Sequence, residues 1–347
     1  MGTVKYFLLT FFVSAGTAVV LTPIIRRIAL TLGVVDKPGG RKVHRKNMPT
    51  LGGVAIAAAF FAGIAAAFYA VPGAMDTFSL KFSGFCVAGA MIVILGIIDD
   101  VKPLNAKPKF FVQIVAAAVL VACGFIVEEV TIPFFGKLSL GFLGVIFSML
   151  WIVGITNAIN LLDGLDGLAA GVSGIASFFI FVSALEQHDY VVASLAFALT
   201  GACAGFLPFN FYPAKIFMGN PGSMFLGLVL ASIALVSFQK SSTIITLFIP
   251  VIALGIPIID TTLAVVRRLA KKRHIFQADK EHIHHKLLFR EESQRRVVLS
   301  LYFLSACFGM IALSFRGIKG LYAIAALAIV IVVTYKWMKD SGFLDFR

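Results

Sequence analysis

The amino-acid sequence predicts an all-α integral membrane protein with about 11 transmembrane helices. Of its 347 residues, 59% are hydrophobic and only 14% are charged, and the mean hydropathy is +0.96. Soluble globular proteins average about 45–50% apolar and about 25% charged residues. The polar stretches are too short to fold alone, so we expect residues 1–347 to form a single multi-span membrane domain.

Eleven apolar runs approach the roughly 20 residues that a membrane helix needs. They are 4–25, 50–70, 82–98, 108–127, 140–157, 165–185, 190–207, 217–238, 243–266, 297–315 and 319–337. No small-residue cleavage site follows the first run, so we expect it to be a retained span and not a signal peptide. Between the fourth and fifth runs, residues 128–138 alternate around Phe135-Gly136, which predicts a short extracytoplasmic hairpin.

The distribution of Lys and Arg predicts the orientation in the membrane. Of the 30 basic residues, 24 lie in the loops 26–49, 99–109, 158–164, 208–216 and 267–296 and at the C-terminus. By the positive-inside rule this side is cytoplasmic, so the N-terminus is outside and the C-terminus inside. We therefore expect a multi-pass protein of the cell inner (plasma) membrane. The net charge of +13 follows mostly from this bias and needs no nucleic acid as a partner.

The most informative polar stretch is 156–167, between two apolar runs. Asn157 and Asn160 are three residues apart, as are Asp163 and Asp166, and on a helix that spacing places each pair on one face. Ionisable groups at a membrane border are costly unless paired, hydrated or metal-bound, so they usually mark a functional site. The alternative is a polar loop that only ends two helices.

The other polar motifs fall on the same predicted cytoplasmic side. They are the basic segment 40–46, the Asp99-Asp100 pair, Asn210, the segment 217–223 and the segment 279–286 with three histidines. We therefore predict one active site facing the cytoplasm, built by the loops 26–49, 99–109, 156–168, 208–223 and 267–296.

These residue types suit phosphate chemistry with a hard cation. Carboxylates and amide oxygens are ligands for Mg²⁺, with Mn²⁺ as an alternative, and basic side chains neutralise phosphates. The oxygen donors are Asp99, Asp100, Asp163, Asp166, Asn160 and Asn220. Such a set resembles a phosphoryl-transfer site, and at a membrane face one substrate can be a lipid and the other a soluble nucleotide.

Each motif also has a simpler interpretation. Asp99-Asp100 can mark the water boundary of a helix, and segment 40–46 can act only as a topology determinant. His282, His284 and His285 could form a zinc site, although no Cys is near and phosphate or sugar contact is favoured. A transporter or flippase for an anionic metabolite would place polar groups near mid-membrane and on both faces, whereas these collect on one face.

Five motifs carry a resemblance to a known family. They are Gly-Arg-Lys-Val-His at 40–44, Asp99-Asp100, Asn-Ala-Ile-Asn-Leu-Leu-Asp-Gly-Leu-Asp-Gly at 157–167, Phe-Met-Gly-Asn-Pro-Gly-Ser at 217–223 and His-Ile-His-His at 282–285. The chain resembles the polyprenyl-phosphate N-acetylhexosamine-1-phosphate transferases of glycosyltransferase family 4. The His-Ile-His-His form is more similar to the N-acetylglucosamine branch than to the muramoyl-pentapeptide branch.

The resemblance implies Mg²⁺-dependent transfer of N-acetylglucosamine 1-phosphate from UDP-GlcNAc to undecaprenyl phosphate, releasing UMP and starting a cell-envelope polysaccharide. It implies catalytic roles for Asp99, Asp100 and Asp163, with Asp99 accepting a proton from the lipid phosphate or orienting it, and metal binding by Asn160 and Asn220. Substrate contacts are implied for Lys42, His44, Asn157, Asp166, Asn210, Phe217, Lys280, His282, His284 and His285. A homodimer is a further expected form.

Asn220 departs from the family pattern, which carries Asp at this position. An amide keeps an oxygen donor but loses the negative charge that attracts a hard cation. We therefore expect weakened Mg²⁺ binding and low activity. The alternatives are compensation by another carboxylate, a substitution that holds substrate without turnover, or a catalytically impaired homologue.

Overall fold

Apolar helices make up most of the chain in the computed structural model, which describes residues 2–37, 47–70, 79–132, 136–241, 251–270, 293–314 and 332. The helices are α1 Gly2–Thr31, α2 Gly52–Ala70, α3 Ser79–Val101, α4 Ala106–Ala122, α5 Phe142–Leu162, α6 Leu168–Glu186, α7 Tyr190–Asn210, α8 Gly219–Ser241, α9 Gly255–Ala270 and α10 Gln294–Ser314. Two short antiparallel ribbons join them, β1 Val35–Asp36 with β2 Met48–Pro49 and β3 Glu129–Ile132 with β4 Gly136–Ser139.

Eight of the described helices are long and apolar enough to cross a membrane: α1, α2, α3, α5, α6, α7, α8 and α10. Large apolar side chains such as Phe12, Phe111 and Phe303 are mostly exposed, and such surfaces suit lipid better than water. The predicted all-α membrane architecture is confirmed. The number of 11 spans stays a prediction, because most of run 319–337 and residues 243–250 of run 243–266 lie outside the described residues.

The hairpin predicted at 128–138 is present. Strands β3 and β4 pair with Glu129 opposite Ser139 and Ile132 opposite Gly136. The Ser148 hydroxyl on α5 accepts a hydrogen bond from the Val127 backbone N–H at 2.9 Å, which ties the hairpin to the bundle. Its extracytoplasmic side stays a prediction.

Helix α8 forms the centre of the bundle. Residues 221–238 of this helix are all buried, and α2, α3, α5, α6 and α7 all contact it. By contrast, α1 packs against α2 and α7 and leaves most of its surface exposed. The site residues at the start of α8 are therefore held by several surrounding helices.

Helix α5 extends further than the apolar run 140–157 predicts. It continues to Leu162, so Asn157 and Asn160 are helical residues and most of the predicted loop 158–164 is helix. The helix tolerates these polar residues because their side chains find partners, including the Val153 carbonyl one turn earlier for Asn157. It ends before Gly164, where the backbone can leave the helical conformation at low cost.

Candidate active site

Four helix ends meet at one end of the bundle and bring the polar motifs together. They are the C-terminal ends of α3 and α5 and the N-terminal ends of α2 and α8. We call this region the polar end. Contacts of α8 with α2, α3 and α5 hold it together. The shared side predicted for 99–109, 156–168 and 208–223 is therefore seen in the fold.

Glycines allow the helix ends at the polar end to approach closely. A Cβ atom on Gly53 would lie 1.9 Å from the Gly222 nitrogen, and one on Gly96 would lie 2.2 Å from the Pro221 nitrogen. Gly219 has φ +70°, and a Cβ there would lie 2.1 Å from the Asp100 Oδ2 atom. A side chain at any of these positions would separate α8 from its neighbours or displace Asp100.

Asp99 is buried and its carboxylate is fully engaged. The Oδ1 atom accepts a hydrogen bond from the Leu104 backbone N–H at 2.8 Å, and Oδ2 forms a 2.6 Å ion pair with Lys109 Nζ. These bonds close the turn between α3 and α4. Such a carboxylate holds structure and has little capacity left for a substrate.

Asp100 differs from its neighbour. Its Oδ1 atom accepts hydrogen bonds from the Asn220 side-chain Nδ2 at 2.8 Å and from the Asn220 backbone N–H at 3.2 Å. Its Oδ2 atom is buried and no described residue donates a hydrogen bond of acceptable geometry to it, although the Thr50 hydroxyl lies nearby. A buried carboxylate oxygen without a donor is costly, so this atom is a candidate ligand for a substrate or a cation.

Asp163 and Asp166 lie in the turn between α5 and α6. Asp166 Oδ2 accepts a hydrogen bond from the Ala214 backbone N–H at 2.9 Å, whereas no described group donates to the half-buried Asp163. Burial, together with the charges of Asp100 and Asp166, raises the pKa of Asp163 to about 7. Three carboxylates thus repel one another across the polar end, and a cation would relieve that repulsion.

Asn157 and Asn160 are each held by a neighbouring helix. Asn157 Nδ2 donates to Gln113 Oε1 on α4 at 2.7 Å, and Asn160 Oδ1 accepts from the Ser223 hydroxyl on α8 at 2.7 Å. The Gly219 carbonyl lies 3.1 Å from the same hydroxyl and competes with Asn160 for its single hydrogen. The two amides therefore lie at fixed positions one helical turn apart.

Asn210 and Phe217 border a tightly bonded loop between α7 and α8. The Asn210 side chain is buried, accepts from the Gly167 backbone N–H at 3.1 Å and donates to the Ile216 carbonyl at 3.0 Å. The Phe217 backbone N–H donates to the Pro49 carbonyl at 2.8 Å, and its ring is half-buried. Asn210 thus joins this loop to the α5–α6 turn.

Six residues predicted to bind substrate lie outside the described residues: Lys42, His44, Lys280, His282, His284 and His285. The predicted contributions of loops 26–49 and 267–296 are therefore largely untested.

Two partners of the site residues were missed from the sequence, Gln113 and Lys109, and Ser223 belongs to the predicted motif 217–223 but had no assigned role. Tyr302 on α10 was also missed, and its hydroxyl donates to the Gly167 carbonyl at 2.5 Å. Each lies within or beside an apolar run, where a single polar residue gives no spacing signal. The one available signal is the cost of an isolated polar group in a membrane helix.

The donors of the polar end fit a hard cation such as Mg²⁺. The unpartnered Asp100 Oδ2 atom, the open carboxylate of Asp163 and the amides of Asn160 and Asn220 offer oxygen ligands. Within the described ranges, no three carboxylate, thiol or imidazole groups gather closely enough to hold a metal ion unaided. The set therefore suits an ion whose remaining ligands come from water or substrate phosphates, as is usual for Mg²⁺.

Known proteins match this chain across the polar end. The description glycosyl transferase family 4 applies to a sequence profile that matches residues 82–238. A probable undecaprenyl-phosphate N-acetylglucosaminyl 1-phosphate transferase of Bacillus subtilis is 40% identical over 304 residues, covering 87% of this chain and 83% of that protein.

Two further relatives are more distant. A decaprenyl-phosphate N-acetylglucosaminephosphotransferase of Mycobacterium tuberculosis is 36% identical over 80% of this chain and 74% of its own length. A phospho-N-acetylmuramoyl-pentapeptide-transferase of Halalkalibacterium halodurans is 31% identical over 89% of this chain and 97% of its own length. Similarity is thus greater to the two N-acetylglucosamine enzymes than to the muramoyl enzyme.

Proposed function

Because the chain belongs to glycosyl transferase family 4, we propose that it transfers N-acetylglucosamine 1-phosphate from UDP-GlcNAc to undecaprenyl phosphate. The observation that carries this proposal is the position of the family match. Residues 82–238 include every described residue of the predicted site and both carboxylates that the hydrogen bonds leave open, Asp100 and Asp163.

The reaction exchanges one phosphoanhydride bond for another. An oxygen of the lipid phosphate attacks the phosphorus that carries the sugar, and the bond from this phosphorus to the oxygen of UMP breaks. The products are a lipid diphosphate sugar and UMP, and the bond from the sugar to its phosphate stays intact. Because both reactants are anionic, the protein must position them and offset their mutual repulsion.

Asp100 is the better candidate to receive or orient the lipid phosphate, although the family resemblance assigned this role first to Asp99. Asp99 already binds Lys109 and the Leu104 N–H, whereas Asp100 keeps one oxygen without a donor. We assign Asp99 the structural task of fixing the α3–α4 turn. Asp163, whose pKa is raised to about 7, is suited to exchange a proton near neutral pH.

Mg²⁺ is the proposed cofactor, with Mn²⁺ as an alternative. Asn160 and Asn220 would hold the ion together with Asp100 and Asp163. These two carboxylates repel each other, and a bound cation would offset that repulsion. When bound, the ion would neutralise the diphosphate and polarise its phosphoryl oxygens. The protein's own part is to keep these oxygen donors converged from α3, α5 and α8.

The nucleotide would lie beside the loop that joins α7 to α8. Phe217 offers a half-buried ring for the uracil base, and Asp166 and Asn210 fix the surrounding backbone. Asn157 would contact the substrate from α5. We also propose that six basic residues contact the phosphates or the sugar: Lys42, His44, Lys280, His282, His284 and His285.

We also propose 11 spans in one domain, with the N-terminus outside, the C-terminus inside and the active site on the cytoplasmic face of the plasma membrane. A homodimer is compatible with this arrangement. A cysteine placed in loop 99–109 or loop 267–296 should resist an impermeant thiol reagent in intact cells. Labelling of one loop but not the other would contradict a single cytoplasmic site.

The decisive experiment is incubation of the purified protein with undecaprenyl phosphate and either UDP-GlcNAc or UDP-GalNAc, with and without Mg²⁺. We expect UMP release with UDP-GlcNAc and Mg²⁺, at a low rate because of Asn220. The Asp100→Asn variant is the matched control for contaminating activity. If UMP release never exceeds that of the control, the proposed function is refuted. If UMP is released with UDP-GalNAc alone, the transferred sugar is N-acetylgalactosamine and not N-acetylglucosamine.

A further inference from the structure

Gln113 lies in the middle of α4 and is almost fully buried, with 3% of its surface exposed. Its neighbours on this helix are mostly apolar, including the buried Ala116, Ala117 and Leu120. An amide buried among apolar side chains costs free energy unless its polar atoms are bonded. Its presence therefore calls for a specific partner.

The hydrogen bonds of Gln113 fix the orientation of two amides without ambiguity. The Val153 backbone carbonyl can only accept, so the Asn157 atom 2.8 Å from it is the donor Nδ2. The same Nδ2 lies 2.7 Å from Gln113, which must present its oxygen Oε1 there. Gln113 Nε2 is then directed to Met224 Sδ at 3.3 Å, a weak acceptor on α8.

This chain of bonds determines what Asn157 can offer to a ligand. Both hydrogens of its amide nitrogen are used, one by Val153 and one by Gln113. Only the Oδ1 atom remains, and the side chain is half-buried, so it retains access to the polar end. Asn157 thus presents an acceptor and no donor.

We propose that Gln113 is a positioning residue for substrate binding, which acts by holding Asn157 as an obligate hydrogen-bond acceptor. The group that Asn157 Oδ1 would accept from is a hydroxyl or N–H of the nucleotide sugar. This inference rests on the proposed function, because it takes Asn157 as a contact for that substrate. Gln113 itself touches no substrate.

The main test is Gln113→Met, which keeps the length and approximate volume of the side chain but removes both hydrogen-bonding groups. Released from Gln113, the Asn157 amide can rotate, and losing one ordered hydrogen bond corresponds to about a tenfold change. We expect the Kd for UDP-GlcNAc, measured by calorimetry, and the KM to rise about tenfold while kcat changes less than twofold. Gln113→Glu should restore the affinity, because a buried acid keeps its proton and its carbonyl oxygen still accepts.

Two further variants separate positioning from folding. Ser177→Ala is the matched control, because Ser177 is buried and bonds to the Ala196 carbonyl on α7, away from Gln113, so its Kd should match the parent. In an Asn157→Ala background, Gln113→Met should cause no further loss of affinity. If Gln113→Met does not fold, Asn157→Asp serves instead. This variant keeps an acceptor for the substrate but loses the Nδ2 group that donates to Gln113 and Val153, so it should also bind UDP-GlcNAc weakly.

Parent-like affinity of a folded Gln113→Met protein, or a full additional loss in the Asn157→Ala background, would overturn the positioning role. Parent-like affinity of Asn157→Asp would do the same. These outcomes differ from failure of the proposed function, in which the parent protein itself neither binds UDP-GlcNAc nor releases UMP.

Discussion

The end of α3 and the turn after α5 both carry a pair of acidic residues, but they use them differently. At the end of α3, Asp99 is saturated by Lys109 and a backbone N–H, while Asp100 keeps one oxygen without a donor. After α5, Asp166 is bonded to the α7–α8 loop, while Asp163 receives no hydrogen bond from the described residues. Each region therefore combines one carboxylate that holds the backbone with one that is open to a ligand.

Whether both oxygens of a carboxylate have partners, and not the sequence motif, separates structural from reactive carboxylates at the polar end. Adjacent residues in one motif can have opposite tasks, because successive residues on a helix point in different directions. In each region, replacing the open carboxylate should mainly lower activity, and replacing the bonded carboxylate should mainly lower stability.

The largest effect is expected for Asp100→Asn. The variant keeps an acceptor for Asn220 but loses the charge at the unpartnered oxygen, so kcat should fall about 10³-fold. Thermal stability in detergent should stay the same or rise, because removing a buried unpaired charge costs nothing. Initial rates of UMP release and a melting curve test both parts, and near-parental turnover would remove Asp100 from the chemistry.

Asp163→Asn should reduce turnover about 10²-fold. In the parent protein, Asp163 gains a proton as the pH falls below about 7, and this proton competes with a bound cation. The Mg²⁺ concentration for half-maximal activity should therefore rise from pH 8 to pH 6. In the variant this dependence should flatten, and a dependence that stays equally steep would assign the titration to another group.

Asn220→Asp changes the partner of Asp100 from a donor to a carboxylate. The 2.8 Å contact would then be repulsive in the absence of a cation and attractive around one. We expect the half-maximal Mg²⁺ concentration to fall about tenfold, turnover to rise and thermal stability to become dependent on Mg²⁺. Asn220→Ala, which lacks an oxygen ligand for the cation, should be less active than the parent.

A Mg²⁺ titration of UMP release compares the parent with both Asn220 variants. A curve for Asn220→Asp that coincides with that of the parent would place the cation on other residues, such as Asp100 or Asp163.

The smallest effect on turnover is expected for Asp99→Asn. It should lower kcat only about threefold but weaken the ion pair with Lys109, which lowers the free energy of unfolding by about 1–2 kcal/mol. Lys109→Met should have a similar effect on the melting temperature. A loss of turnover as large as that of Asp100→Asn, with an unchanged melting temperature, would reverse the two roles.

Much of the fold could be predicted from the sequence, because helix length and apolar character depend on local composition. The hairpin at β3 and β4 and the shared side of the polar motifs followed in the same way. The bonding state of each site residue could not be predicted. Asn157 is held by Gln113, 44 positions away, and Asp100 by Asn220, 120 positions away, so packing of distant helices decides these pairings.

The burial of α8 also affects how freely the protein can evolve. Residues 221–238 of α8 are all buried, whereas only 22% of the most apolar stretch of α1 is buried. Substitutions along α1 should be tolerated with a period of about 3.6 residues, since one face meets lipid and changes there cost little. Along α8 no such period should exist, because each side chain fills space against a neighbour. We therefore expect selection to act on α8 at nearly every position and on α1 mainly along one stripe.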